Sequence, residues 1–114
     1  MQLMVIVLKK PACLSPLLSR LDEAGIHGAT VVESTGMRQI LGADSVEPPP
    51  AFGALRQVIN PEREQSRTVF IVLKTEQVAA AEKVVHEVTG GFDKPDSGIL
   101  FIVPVTHHEG IVKE

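Results

Sequence analysis

The hydrophobic pattern divides the chain into six short elements. Leu3 to Leu8 is a continuous aliphatic run, suited to a central strand, and Lys9, Lys10 and Pro11 end it. Ser15 followed by Pro16 predicts a helix start, with Leu14, Leu17, Leu18, Leu21 and Ala24 at helical spacing and Gly25 as its stop. Ile26-His27-Gly28 turns the chain into a second strand, Ala29 to Glu33, in which His27 reads as a solvated turn residue. A third strand is expected over Thr68 to Leu73. Thr75 is placed to cap a second helix, Glu76 to Val88, with an apolar stripe of Val78, Ala81, Val85 and Val88 and with His86 off it. Thr89-Gly90-Gly91 stops that helix. The turn residues of Asp93 to Gly98 lead to a fourth strand, Ile99 to Val105, in which Pro104 requires an edge position or a strand end.

Strand, helix, strand, strand, helix, strand is the order of two crossover units. With right-handed connections they give an α+β fold, a ferredoxin-like βαββαβ sandwich with a four-stranded antiparallel sheet and both helices on one face. At this length the natural reading is a single domain, 1–114. The strands are apolar on both sides: Val5 and Val7 alternate with Met4 and Ile6, Phe70 and Val72 with Val69 and Ile71, Leu100 and Ile102 with Phe101 and Val103. Two helices cover only one face, so the other is expected to be covered by self-association.

Between the second and third strands lies a long loop, Gly36 to Arg67. Four of the five arginines fall in it, Arg38, Arg56, Arg63 and Arg67, while all six lysines lie outside. Arginine suits carboxylates and phosphates; pairing with Asp44, Glu47, Glu62 and Glu64 accounts for the same residues without a ligand. With no Trp or Tyr, four Phe and a net charge of -3, the chain lacks the stacking surface and basic field of a nucleic-acid binder. The single Cys13 excludes an intramolecular disulfide and fits a reducing cytoplasm. Met1 to Leu8 is too short to span a membrane and has no basic region before it, which points to a cytoplasmic protein.

No catalytic constellation emerges, so an enzyme is not expected. His107-His108-Glu109 has the chemistry of metal ligands, but neighbours on an extended chain point to opposite sides. Thr89-Gly90-Gly91 has the residues to offer backbone amides to a phosphate and is equally a plain helix stop.

Three stretches resemble the P-II family of trimeric signalling proteins. Ala24-Gly25-Ile26-His27-Gly28-Ala29-Thr30 is similar to the family's entry to its second strand. Gly36-Met37-Arg38-Gln39 resembles the start of its mobile T-loop. Thr89-Gly90, then Gly98 to Val105, are similar to its B-loop and last strand. The resemblance implies a homotrimer that holds a small effector, typically an adenine nucleotide, in three intersubunit clefts. It implies ligand contacts at Thr30, Gly36, Met37, Arg38, Gln39, Thr89, Gly90, Gly91 and Gly98. The 36–67 loop, with Arg56, Arg63 and Arg67, would engage a protein partner. Residues 91–97 depart from the family's Gly-Asp-Gly-Lys phosphate grip, and the family's paired arginines after the last strand are replaced by residues 106–113, which hold none. Those departures point to an effector other than ATP with 2-oxoglutarate. The alternative of the same architecture is a CutA-like metal-binding trimer using His107, His108 or His86.

Overall fold

The computed structural model of the protein describes residues 1–41, 65–94 and 97–111. Strands β1 (Gln2–Leu8), β2 (Ala29–Ser34), β3 (Ser66–Leu73) and β4 (Gly98–Pro104) form one sheet in the order β2-β3-β1-β4, with every neighbouring pair antiparallel. Helices α1 (Leu14–Glu23) and α3 (Val78–Thr89) pack together on one face, and a five-residue helix, α2 (Met37–Leu41), follows β2. The architecture is α+β.

Register decides which half of each strand becomes core. Met4 stands opposite Ile71 and Ile102, and Ile6 opposite Val69 and Leu100. These side chains join Leu17, Leu21, Ala81 and Val85 in one buried cluster beneath the helices. Their neighbours in sequence point the other way. Leu3, Val5 and Val7 on β1 lie beside Phe70 and Val72 on β3, and beside Ile99, Phe101 and Val103 on β4. That second set is apolar too, yet no helix among the described residues covers it. Phe101 is 47% exposed and Ile99 54%. Val5 escapes exposure because it stands between Phe70 and Phe101.

Both crossover helices start differently from expectation. A 3-10 turn at Pro11–Cys13 precedes α1, which begins at Leu14 with Cys13 at its cap and no side-chain cap bond. Ser15 and Pro16 therefore lie inside the first turn, where proline's missing N–H has no helical acceptor to lose. Thr75 likewise opens a 3-10 turn, Thr75–Gln77; its hydroxyl accepts from Gln2 Nε2 at 3.3 Å instead of capping α3. Gly25 and Gly90 end the two long helices with φ of 85° and 83°, the left-handed geometry that glycine adopts at least cost. Ala24 is exposed at the cap of α1, not on its buried stripe. In α3 the buried residues are Ala81, Val84 and Val85, with Val78 and Val88 packed partly against the core. His86 is exposed, and its ring meets Phe92 edge-on at 6.0 Å. Pro104 ends the edge strand β4, where no ladder donor is lost.

The stretch from Gly36 to Arg67 is not unstructured throughout. α2 occupies its beginning, and β3 starts at Ser66, two residues before the expected Thr68. Arg67 belongs to a strand, a correction to its reading as part of the loop. Arg56 and Arg63 lie outside the described residues.

Candidate functional site

The pairing register gathers most of the expected ligand residues at one end of the sheet. Ser34 closes β2 opposite Ser66, Leu8 closes β1 opposite Arg67, and Gly98 opens β4 opposite Leu8. Thr35 to Gln39 therefore leave the sheet at the same end at which Thr89 to Gly91 and Gly98 approach it. Lys9 and Lys10 emerge there as well. Thr30 is separate: it is exposed on the uncovered face, opposite Phe70.

Sharing an end is not sharing a pocket. β2 and β4 are the two edges of the sheet, with β3 and β1 between them. Three interstrand steps of about 4.8 Å put the two groups roughly 14 Å apart. The stretch at Gly36 and the stretch at Gly98 do not form one cavity within a single chain.

At the β2–β3 corner, a hydroxyl cluster ties the two strands. Ser34 Oγ lies 2.8 Å from Thr68 Oγ1 and 3.2 Å from Ser66 Oγ, and Ser66 Oγ donates to the Ser34 carbonyl at 3.0 Å. Ser66 is 1% exposed, and these bonds satisfy its buried hydroxyl. Arg67 points to the opposite face, donates to the Gln65 carbonyl at 2.9 Å and lies 3.7 Å from Glu33. It therefore braces the root of the β2–β3 connection. This pairing of Arg67 with Glu33 follows from cross-strand register and was invisible in the linear order.

Met37, Ile40 and Leu41 of α2 are all exposed, at 71%, 54% and 60%. The three carry an apolar surface immediately beyond the sheet end.

The glycines at the β4 corner serve the backbone. Thr89 Oγ1 donates to the Val85 carbonyl at 2.7 Å and accepts from the Gly91 amide at 3.1 Å, while the Gly90 amide donates to the His86 carbonyl at 2.9 Å. Both glycine amides are thus already engaged, which corrects the reading of Thr89-Gly90-Gly91 as an open phosphate cradle. Gly98 has φ 121°, and a Cβ there would run into the Val7 carbonyl oxygen and press on Phe92. Its role is close packing of β4 against β1.

The remaining polar candidates are small local pairs. His27 Nδ1 lies 2.6 Å from Asp22 Oδ1, and Arg20 pairs with Glu87 between α1 and α3. His107 Nε2 lies 2.8 Å from Glu109 Oε2. Among the described residues no three His, Cys, Asp or Glu side chains come together to hold a metal ion. Cys13 is half-buried, with its thiol 3.8 Å from the Val88 carbonyl. No helix among the described residues is long and apolar enough to cross a membrane.

No protein-family model matches the chain, and no curated protein matches it either.

Proposed function

We propose that the protein is a non-enzymatic, P-II-like effector sensor of the cytoplasm. Its ferredoxin-like subunits assemble as a homotrimer, and its 36–67 loop passes ligand occupancy to a protein partner. The observation that carries this reading is the sheet face that no helix among the described residues covers. Leu3, Val5, Val7, Phe70, Val72, Ile99, Phe101 and Val103 form a second apolar layer beside the core. At about 25 cal/mol per Å² of apolar surface, covering it is worth an energy comparable to the net stability of a small domain. The strand order β2-β3-β1-β4, with both long helices on one side, supports the ferredoxin-like subunit.

Self-association also supplies what one chain lacks. The Gly36–Gln39 and Thr89–Gly98 stretches leave opposite edges of the sheet at the same end. Packing of like sheets brings the β2 edge of one copy toward the β4 edge of the next and makes a cleft from two half-sites. With the Gly90 and Gly91 amides engaged, the charge on the effector falls to Arg38, Lys9 and Lys10 instead of a glycine cradle. A small anion or a nucleotide fits that chemistry.

Two measurements test the reading. Light scattering at micromolar concentration gives about three times the 12.3 kDa chain mass; a soluble monomer overturns the assembly and the cleft together. Titration calorimetry against adenine nucleotides, cyclic nucleotides and small anions identifies the effector. Arg38→Ala then weakens binding about tenfold or more, the loss expected of a charge-assisted hydrogen bond, while thermal stability stays near the parent. Silence of the parent protein across the panel overturns sensing.

A further inference from the structure

At the end of the sheet away from that cleft, the chain encloses a cavity of about 420 Å³, within the range of small-ligand sites (about 300–1,000 Å³). Three segments make it. The turn that carries α1 into β2 supplies Ile26 and Gly28, the end of β3 supplies Val72, and the 3-10 turn after it supplies Lys74 at its cap and Gln77. The tail after β4 supplies Ile111. That tail is led across the start of β1 by a hydrogen bond from the Val105 amide to the Met1 carbonyl at 3.1 Å.

The wall chemistry is one-sided. Ile26 is 5% exposed and belongs to the core, so the floor is apolar there, and Ile111 extends it; Val72 borders the cavity from the opposite face of the sheet. Among the described residues no aspartate or glutamate lines the cavity. His27 at the rim is held by Asp22. Among the described residues Lys74 is the one lysine or arginine of the lining, and it has no ion pair there. Gln77 Oε1 accepts from the Lys74 amide at 3.0 Å, which leaves its amide nitrogen as a further donor. A cationic and a donor residue thus share the lining with apolar residues, and among the described residues no carboxylate competes with them.

We infer that this cavity binds a small monocarboxylate with a short aliphatic chain. Its carboxylate is held by Lys74 and Gln77, and its chain lies over Ile26 and Ile111. The site is independent of the proposed effector cleft, being at the opposite end of the sheet and built from one chain.

Gly28 provides a way into the cavity without strain. Its φ is not left-handed, and a Cβ there meets nothing within 4 Å, so Gly28→Leu adds bulk at the lining without forcing the backbone. The test uses the full chain and titrates straight-chain carboxylates from acetate to octanoate, with alkylammonium ions of equal length as controls. Affinity is expected to rise about fourfold per added methylene until the cavity is full. Lys74→Met weakens every carboxylate about tenfold or more. Gly28→Leu weakens the long chains and spares acetate. Absence of saturable carboxylate binding overturns the proposal. So does equal binding of the alkylammonium series, or parent-like affinity in Lys74→Met; that variant decides the matter should Gly28→Leu not fold.

Discussion

The two faces of the sheet are built from the same kinds of residue and have opposite fates. On one, Met4, Ile6, Val69 and Ile71 are each 0% exposed under α1 and α3. On the other, Ile99, Phe101 and Val103 stand 38% to 54% exposed, in strands that are no less aliphatic. The difference lies in what stands over them. Both long helices pack on the same side of the sheet, so one apolar layer is used within the chain, and no helix among the described residues covers the other. Apolar character alone therefore does not tell the two faces apart, and only the position of the helices separates them.

Substitution of matched residues on the two faces tests that distinction. The largest effect is expected at Ile71→Ala beneath the helices: a loss of about 2–5 kcal/mol, the usual cost of emptying a buried aliphatic site. Chemical denaturation at several protein concentrations should find this loss at every concentration. Gly98→Ala attacks the edge of the same layer, where a left-handed φ and the nearby Val7 carbonyl oppose any side chain. It should cost about 1–3 kcal/mol, read as a lowered midpoint.

Ser66→Ala, on the other face, removes a buried hydroxyl from its bond to the Ser34 carbonyl and should cost about 1 kcal/mol. A parent-like melt would show that the hydroxyl cluster does not brace the strands. Phe101→Glu should leave the isolated subunit within about 0.5 kcal/mol of the parent and act through mass instead. Light scattering should drop from the assembled mass toward 12.3 kDa. If Phe101→Glu unfolds the chain while Ile71→Ala is silent, the assignment of the two faces is reversed.

Much of this fold was legible in the linear pattern. The four strands, the two long helices, the glycine stops at Gly25 and Gly90 and the edge position of Pro104 all follow from local rules that act within a few residues. Helix starts were less legible. Ser15-Pro16 and Thr75 carry cap chemistry, but a 3-10 turn precedes each helix, because the chain must first turn off the sheet before it can run back over it. Neither did the sequence expose the helix at Met37–Leu41 or the pairing of Arg67 with Glu33, since a short helix has weak periodicity and a cross-strand pair has no fixed spacing.

The candidate site divides along the same line. Local sequence determined that Gly36 to Gln39 would leave a strand and that Gly98 would open one. The tertiary structure alone decided that they emerge at the same end of the sheet on opposite edges, because strand order is a property of the crossovers and not of any single strand. It also decided that the Gly90 and Gly91 amides are engaged, through Thr89 and the last turn of α3. The cavity beside Lys74 is wholly tertiary. Its walls come from residues 25–28, 72–74, Gln77 and 110–111, which no periodicity links and which meet only where the tail crosses the end of the sheet.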